Sequence, residues 1–269
     1  TTQNRDREKS FLHQAGLPVT RFAHAENSDQ LHSCIEQVGL PCVVKTAAWG
    51  YDGKGQHLIR EAADVDVIES AGAPWVIEAW VEYIAEVSVV AVRSVHGEVV
   101  LIGPIRNDHA NHILDVSTWP ADVEVDTEAM RRDAHEIARA VMDKLNVVGV
   151  LCVEMFVMAD GSLMINELAP RPHNSGHLTI DAHPVSQFEQ QVRSITAMPL
   201  GTVEACVPAA AMANLLGDLW HADGRAPAFA RLLHIPGMRL HLYGKDHARR
   251  GRKMGHITMT GTQPLAVRD

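Results

Sequence analysis

The chain is poor in cysteine and in aromatic residues. Its 269 residues include four cysteines, and aromatic side chains make up 5% of the sequence. No two cysteines form a CxxC pair, so the pattern supports neither a zinc site nor disulfides. Each thiol lies in an apolar or mixed segment, and we expect all of them to be reduced and buried. They are Cys34, Cys42, Cys152 and Cys206.

Long hydrophobic runs are missing as well. The longest apolar stretches, at 147–153 and 207–213, have the length of a strand or contain glycine or proline. A helix needs about 20 apolar residues to cross a membrane. The polar N-terminus, TTQNRDREKSFL, has the pattern of neither a signal peptide nor a transit peptide. We therefore expect a cytoplasmic location and no membrane partner.

Positive charge is in deficit. The 24 lysines and arginines face 33 acidic residues, and the net charge of −9 argues against nucleic acid as a partner. The 16 histidines include no HExxH zinc motif. One basic cluster, KDHARRGRK at 245–253, would suit a single bound anion. A solvated basic face is the alternative interpretation.

The residues that are present predict an α+β protein with more than one lobe. With 46% apolar residues the chain can bury a substantial core. Short strand-like and helical segments alternate at first, with a strand predicted at 19–22 and a helix at 62–70, and longer alternating strands follow. We expect a helix over 1–16, a small α+β lobe over 17–79, a larger antiparallel lobe over 80–206 and a short β lobe over 207–269.

Two glutamates flank a predicted hairpin. The segment VEMFVMADGSLMINE joins two apolar β-rich runs through Asp160-Gly161, a strong hairpin signal. With these as the two central turn residues, Phe156 faces Ile165 and Glu154 faces Glu167. Opposed side chains share one face of the sheet, with Cβ atoms about 5 Å apart. The neighbours expected on that face are Cys152, Phe156, Leu163 and Ile165.

Two carboxylates in such an apolar setting repel each other, so we expect a cation between them. Carboxylate oxygens, with no thiolate or imidazole in the run, favour magnesium over zinc, and magnesium bound this way usually also holds substrate phosphates. A bulged hairpin with one glutamate turned to solvent is the alternative.

Three further segments carry candidate binding residues. GYDGKGQ (50–56) is neither a Walker motif nor a dinucleotide fingerprint, but with Lys45 before it and Lys54 within it, it would suit a mobile flap over polyphosphate. An ordinary glycine-rich turn is the alternative. Glu78 and Glu86 lie at the predicted hinge, where a cleft ligand is favoured, although surface glutamates are common at linkers. The irregular, donor-rich run 171–177 follows the hairpin directly and is placed to contact substrate.

We expect core packing for Trp75, Trp80, Trp119 and Trp220.

Five ordered segments resemble the ATP-grasp enzymes, and among them the family of 5-(carboxyamino)imidazole ribonucleotide synthases. They are GYDGKGQ (50–56), EVSVVAVR (86–93), NELAPRPHNSGH (166–177), SQFEQQVR (186–193) and RKMGH (252–256). The resemblance implies an ATP-grasp fold with a small lid lobe, a larger antiparallel-sheet lobe and a short C-terminal β lobe. It also implies an N-terminal nucleotide-fold domain that this chain lacks, to which the helix at 1–16 would link.

The resemblance implies roles for particular residues. Those implied to bind ATP are Arg5, Lys45, Gly50, Tyr51, Asp52, Gly53, Lys54, Gly55, Gln56, Glu78, Ala79, Trp80, Val81, Glu86, His109, Asn166 and Glu167. Those implied to act near bicarbonate and the ribonucleotide are Tyr51, Asp52, Lys54, Arg171, His173 and Asn174. Lys245, Arg252 and Lys253 are implied to hold the ribonucleotide phosphate. The implied metal ligands are Glu154, Glu167 and Asn166, although the strict hairpin register puts Asn166 on the opposite face.

The activity implied is ATP- and bicarbonate-dependent carboxylation of 5-aminoimidazole ribonucleotide through carboxyphosphate, in de novo purine synthesis. It implies ATP and magnesium, or manganese, as cofactors and a homodimer as the assembly. Two alternatives stay open. One is another ATP-grasp ligase, such as a formate-dependent glycinamide ribonucleotide transformylase, and the other is a non-catalytic nucleotide-binding module.

Overall fold

The computed structural model describes residues 2–47, 55–68, 74–121 and 125–263. Within them the chain forms two antiparallel sheets flanked by helices, as the α+β prediction required. No helix in these ranges is long and apolar enough to cross a bilayer.

The first part of the chain surrounds a four-stranded sheet. Its elements are α1 (Arg5–Gln14), β1 (Phe22–Ala25), α2 (Ser28–Val38), β2 (Cys42–Thr46), β3 (Gln56–Ile59), a 3-10 helix (Ala62–Val67) and β4 (Trp75–Ala79). The strands lie in the order β1-β4-β2-β3. Helix α2 begins at Asn27, whose side chain accepts a hydrogen bond from the Gln30 N–H (3.2 Å). It ends at Gly39, where φ is +88°.

Two predictions in this region need correction. The strand predicted at 19–22 begins only at Phe22, because Val19 instead forms a parallel bridge to Ile165 of the other sheet. The helix predicted at 62–70 is a 3-10 helix that ends at Val67. The segment before β1 therefore runs between the two sheets.

The second sheet has eight strands. The elements are β5 (Ala85–Arg93), β6 (Val99–Ala110), β7 (Ile113–Trp119), α3 (Glu128–Leu145), β8 (Gly149–Val157), β9 (Leu163–Ala169), a 3-10 helix (Asn174–Leu178), α4 (Thr179–Ala182), α5 (Gln187–Ile195), β10 (Ala209–Leu216), two 3-10 helices (Gly217–Leu219 and Phe229–His234), β11 (Met238–Leu242) and β12 (Lys253–Gly261). The strand order is β11-β12-β10-β7-β6-β5-β8-β9. The C-terminal strands thus extend the sheet of the predicted larger lobe, and the boundaries between lobes stay predictions.

The large sheet is covered on both faces. On one face α3 packs its apolar stripe, including Ala134, Ala138 and Val141, against strands β5 and β8. On the other face Val90 and Met212 join a second buried cluster. Full burial of a valine or methionine side chain in these clusters contributes about 1.5–3 kcal/mol to folding. Together the two clusters hold the strands that carry the site.

Two predictions about exposure are wrong. Cys34, Cys42 and Cys152 are buried free thiols, but Cys206 is exposed, because it lies in the loop before β10. Trp75 packs in the core of the small sheet, whereas Trp80 is 45% exposed because it follows the end of β4. Trp119 and Trp220 are half-buried.

Candidate active site

A cavity of about 1150 Å³ lies where elements of both sheets meet. Its wall combines residues of α1, β2 and β4 with residues of β8, β9 and the loop that follows β9. Tyr243, Lys245 and Lys253 of the C-terminal hairpin complete it. The predicted candidate segments therefore share one space, and the cavity is large enough for a nucleotide together with a second small molecule.

The hairpin between β8 and β9 pairs Glu154 directly with Glu167, as predicted. The register nearer the turn is different, since Phe156 faces Met164 rather than Ile165. The Gly161 N–H donates to the Met158 carbonyl, and Gly161 has a φ of +83°. The loop thus has one residue more than a two-residue turn, and the register shifts by one.

A bulge between β8 and β9 restores the register. The shift falls between Glu154 and Met155, so Asn166 is the extra residue of β9. Leu163 and Ile165 consequently lie on the α3 face, not beside the glutamates as predicted. In a bulge two successive residues oppose one partner, and a side chain is re-aimed. Asn166 thereby joins Glu154 and Glu167 on the cavity wall. The alternative of a bulged hairpin is therefore correct, and Glu167 is exposed as that alternative required, but both glutamates line the cavity.

The electrostatics of the two glutamates fit a divalent cation. Although 48% of the Glu167 side chain is exposed, desolvation by the cavity wall and the charge of Glu154 raise the pKa of Glu167. Burial also opposes the charge of Glu154, but His173, whose Nε2 lies 3.1 Å from Glu154, outweighs it and lowers the pKa of Glu154. Two carboxylates and an amide oxygen are hard ligands, and a cation between them would relieve the repulsion.

Glu86 and His109 extend this acidic patch. The ligand atoms of Glu86, His109 and Glu154 all lie within 4.8 Å of one another. His109 Nδ1 is 3.1 Å from Glu86, and Tyr83 donates to Glu86 from its hydroxyl at 2.6 Å. The Tyr83 ring in turn stacks on Phe156 of β8 at 4.4 Å. Glu86, at the predicted hinge, is thus fixed against the hairpin of β8 and β9.

A second group of charges is buried beside the cavity. We call Lys9, Lys45 and Glu78 the buried charge trio. The two ammonium groups lie 3.0 Å and 2.9 Å from the Glu78 carboxylate. Burial alone would raise the pKa of Glu78, but Lys45 and Lys9 hold it at about 2. Burial lowers the pKa of Lys45, and Glu78 offsets part of that effect. Two cations on one anion leave a net positive charge that suits phosphate.

Helix α1 also contacts the hairpin of β8 and β9. Lys9 Nζ donates to the carbonyl oxygen of Asn166 at 2.8 Å, and Glu8 accepts from the Leu168 N–H at 3.3 Å. Burial raises the pKa of Glu8 to about 8. Arg5, one turn earlier, lies 3.7 Å from Glu167. Three residues within one turn and a half of α1 therefore reach the strand that carries the predicted ligands.

The loop after β9 presents His173 and Asn174 to the cavity. Asn174 exchanges hydrogen bonds with Asn214 of β10 at 2.7 and 3.0 Å. His173 Nδ1 lies 2.9 Å from the Ser175 hydroxyl, so Nε2 is oriented towards Glu154. The wall near this loop ends at the C-terminal lysine pair, our name for Lys245 and Lys253. Lys245 lies 5.2 Å from the centre of the Tyr243 ring.

Most predicted site residues lie on this one cavity. The described ones in its wall are Arg5, Lys45, Gln56, Glu78, Ala79, Trp80, Val81, Glu86, His109, Glu154, Asn166, Glu167, Arg171, His173, Asn174, Lys245 and Lys253. Gly55 and Arg252 are not in the wall, and the Arg252 guanidinium instead donates to the His247 carbonyl at 2.6 Å. Gly50, Tyr51, Asp52, Gly53 and Lys54 lie outside the described residues. The roles of all these residues stay predictions.

The sequence reasoning missed several residues of the site. Lys9 and Glu8 occur in an otherwise ordinary polar helix, and nothing in their spacing marks them as buried. Tyr83 also lines the cavity. Asn214 lies in an apolar strand, where a single polar residue is a signal that could have been followed.

Comparisons with known proteins agree with this geometry. Residues 10–188 match the model of the ATP-grasp domain, and residues 210–269 match the phosphoribosylaminoimidazole carboxylase C-terminal domain. The N5-carboxyaminoimidazole ribonucleotide synthase of Bacillus subtilis (strain 168) is 41% identical over 262 residues, which are 96% of this chain and 66% of that protein. The synthase of Brucella melitensis is 38% identical, over 96% of this chain and 69% of that protein. The chain thus spans about two thirds of the length of these relatives.

Solved structures give the same result. An ADP complex of an N5-carboxyaminoimidazole ribonucleotide synthetase is 42% identical, with a TM-score of 0.90 over 99% of this chain and 69% of the other. The synthase of Aspergillus clavatus in complex with ADP and 5-aminoimidazole ribonucleotide is 29% identical, with a TM-score of 0.89 over 99% and 70%. The two antiparallel sheets are therefore those of the ATP-grasp fold. This chain belongs to the N5-carboxyaminoimidazole ribonucleotide synthase family of ATP-grasp proteins.

Proposed function

We propose that this chain carries the catalytic site of an ADP-forming ligase that carboxylates the amino group of 5-aminoimidazole ribonucleotide, using ATP and bicarbonate, in de novo purine synthesis. The observation that carries the proposal is the convergence of Glu154, Asn166 and Glu167 on one cavity with Lys45 and the C-terminal lysine pair. Names of the relatives and the ADP and ribonucleotide complexes of solved family members support the same substrates.

ATP is proposed to lie against the buried charge trio. Lys45 contacts the phosphates, and its partner Glu78 keeps the ammonium in place. The backbone that leaves β4 at Ala79–Val81 is proposed to meet the adenine edge at Val81, because the N–H groups of Ala79 and Trp80 already donate to the carbonyls of Arg21 and Pro41. Glu86 is proposed to accept from a ribose hydroxyl. Arg5 and His109 add to this side of the cavity, and the segment 50–56 would close over the phosphates.

Glu154, Asn166 and Glu167 are the residues proposed to hold magnesium, for which manganese could substitute. When bound, the ion would neutralise charge on the phosphates and orient them. The chain's own contribution is the bulge, which brings three oxygen ligands to one face, and His173, which keeps Glu154 ionised.

The chemistry proceeds in two displacements. A bicarbonate oxygen attacks the γ-phosphorus of ATP, the bond from that phosphorus to the ADP oxygen breaks, and carboxyphosphate forms. The amine of the ribonucleotide then takes the carboxyl group, either from carboxyphosphate or from CO₂ released by it, and inorganic phosphate leaves with loss of a proton. Arg171, His173 and Asn174, which line the cavity, are the residues proposed to orient bicarbonate and the amine. Because carboxyphosphate hydrolyses readily, exclusion of water by Tyr51, Asp52 and Lys54 would protect it.

The ribonucleotide phosphate is proposed to lie against the C-terminal lysine pair. Lys245 is exposed while Lys253 is half-buried, so both ammonium groups can meet a phosphate that arrives from solvent. Arg252 would join them only after its guanidinium leaves the His247 carbonyl. A homodimer and a cytoplasmic location also belong to this proposal, on the precedent of the family.

A substrate screen tests the proposal. The longer native protein that contains this chain would be incubated with ATP, and ADP release would be measured with bicarbonate or formate and with aminoimidazole or glycinamide ribonucleotide. We expect ADP release only with bicarbonate and aminoimidazole ribonucleotide together. Release with formate and glycinamide ribonucleotide would support the transformylase instead. Tight Mg-ATP binding by calorimetry without turnover in any combination would support the non-catalytic module.

A further inference from the structure

Helix α1 and the bulged strand β9 are joined by contacts that the proposed chemistry does not use. The bulge leaves the backbone around Asn166 outside the regular ladder with β8. Lys9 Nζ donates to the carbonyl oxygen of Asn166 at 2.8 Å and approaches that of Ile165 at 3.5 Å. On the other side of the bulge, the Leu168 N–H donates to the Glu8 carboxyl at 3.3 Å. Two adjacent residues of one helix thus form hydrogen bonds with backbone groups of Asn166 and of the residues around it.

The burial of these side chains shows that the contacts matter. Glu8 is 3% exposed and Lys9 is 1% exposed, whereas the preceding residue of the same helix, Arg7, is exposed. Placing two ionisable side chains in the interior is costly unless each one has partners. Lys9 also lies 3.0 Å from Glu78, so the ammonium that holds the bulge is itself held by the small sheet. A surface helix would not require this arrangement for its own stability.

We propose that Glu8 and Lys9 are positioning residues that fix the β9 bulge and thereby aim Asn166 and Glu167 at the metal. Neither residue touches the ion in this role. They act through the backbone, since a bulge can relax or migrate along a strand when its unpaired groups lose their partners. Because Lys9 also contacts Glu78, the partner of Lys45, it links the orientation of the proposed metal ligands to the position of Lys45. The inference rests on the proposed function for the identity of the ion, but the contacts to the bulge do not.

The test compares metal affinity with local backbone protection. Mn²⁺ would be titrated by electron paramagnetic resonance into the longer native protein with ADP present, for the wild type and for Lys9→Met, Glu8→Leu and Glu8→Gln. Hydrogen exchange of the peptide covering β9 would be followed without metal. Leu12→Ala is the matched control, because Leu12 is fully buried in the same helix but has an apolar side chain that gives the bulged backbone no hydrogen bond.

We expect Lys9→Met and Glu8→Leu to weaken Mn²⁺ binding about 10-fold or more, as loss of residues that orient metal ligands does elsewhere. They should also speed exchange in β9 relative to β6. Glu8→Gln keeps an acceptor oxygen for the Leu168 N–H, so it should retain more affinity than Glu8→Leu. Leu12→Ala should lower the unfolding temperature and leave the Mn²⁺ affinity nearly unchanged.

Four results would count against the inference. Equal Mn²⁺ affinities for Lys9→Met and Leu12→Ala would assign Lys9 a merely structural role. Unchanged exchange in β9 would show that the bulge does not depend on α1. If Lys9→Met does not fold, the test rests on the Mn²⁺ affinities of Glu8→Leu and Glu8→Gln. Equal affinities of these two variants would refute the role of Glu8. A wild type that binds no Mn²⁺ would instead refute the proposed metal site, and with it this inference, whatever the exchange of β9.

Discussion

The buried charge trio and the C-terminal lysine pair lie on the same cavity but are built differently. Lys45 and Lys9 share a carboxylate in the interior, and their side chains are 13% and 2% exposed. Lys245 instead lies over an aromatic ring near solvent. The Lys245 ammonium donates to the backbone carbonyl of Lys253 rather than to a carboxylate, and the Tyr243 hydroxyl nearby lies 2.9 Å from His256 Nδ1.

The two groups differ in the stage at which their charges lose water and become ordered. In the trio, folding has already desolvated and oriented the cations, so a phosphate bound there meets a preorganised site. In the lysine pair the cations keep much of their water and attract a ligand mainly through a screened field. We expect substitutions at the trio to change stability and turnover together, and substitutions at the pair to change mainly substrate affinity.

The largest loss of activity should come from substitution of Glu154 or Glu167, which line the cavity together with residues of the buried charge trio and the C-terminal lysine pair. Glu167→Gln keeps the shape of the side chain but removes one of the two charges facing the proposed cation. Loss of residues that only orient metal ligands costs about 10–100-fold, so loss of a direct ligand should lower kcat/KM by at least about 100-fold. The measurement is steady-state ADP release at saturating magnesium. Glu82→Gln, a nearby exposed carboxylate outside the cavity wall, should behave like the wild type, and equal loss in both variants would contradict the assignment.

Lys45→Met should break the trio. Removing one partner of a buried ion pair typically costs about 3–5 kcal/mol, and because Lys9 remains beside Glu78 we expect the lower end of that range. Denaturant unfolding measures this loss, and ADP release should show a raised KM for ATP. Lys144→Met is the control, since Lys144 is an exposed lysine in the last turn of α3. A variant with normal stability and normal ATP affinity would refute the preorganised trio.

The C-terminal strands should lose stability in acid through His256. Burial lowers the pKa of His256 to about 3 from its ordinary 6.5. A base with a depressed folded-state pKa binds fewer protons in the native than in the unfolded state, so stability falls as pH drops below 6.5 and levels off near 3. The effect should be on the order of a few kcal/mol. Unfolding free energies of the wild type and His256→Phe should therefore converge between pH 6.5 and 4, and parallel curves would contradict the prediction.

The smallest effect should come from the lysine pair. Lys245→Met should raise the KM for the ribonucleotide several-fold and leave stability within about 0.5 kcal/mol, because an exposed charge contributes little to folding. The change should shrink at high ionic strength, where exposed charges are screened. Kinetics at two salt concentrations measure this, with Arg239→Met on β11 as an exposed control outside the cavity wall. An equal loss of ATP affinity would remove the distinction between the two groups.

The parts of the site that could be predicted are those with local signals. Asp160-Gly161 predicts the hairpin, and the hairpin alone brings Glu154 opposite Glu167. Helix α2 likewise carries its boundaries in the local sequence, with the Asn27 cap before it and Gly39 after it. Such features depend on a few neighbouring residues, so sequence reasoning reaches them.

What could not be predicted depends on distant partners. The bulge at Asn166 is contacted by Glu8 and Lys9, which lie more than 150 residues earlier in the chain. Strand β1 begins late because Val19 pairs with the other sheet. The C-terminal strands join the large sheet because β10 pairs with β7. Neither strand has a local sequence signal that predicts this pairing. In each case a tertiary contact overrides the local pattern.

The most direct test of the account follows the oxygen atoms of bicarbonate. The longer native protein would turn over ATP and aminoimidazole ribonucleotide in rapidly mixed ¹⁸O-bicarbonate, and the inorganic phosphate would be analysed by mass spectrometry. If a bicarbonate oxygen attacks the γ-phosphorus in this cavity, one labelled oxygen appears in each phosphate, and Glu167→Gln abolishes the labelled product. Unlabelled phosphate formed at the full rate of ADP release would contradict the account.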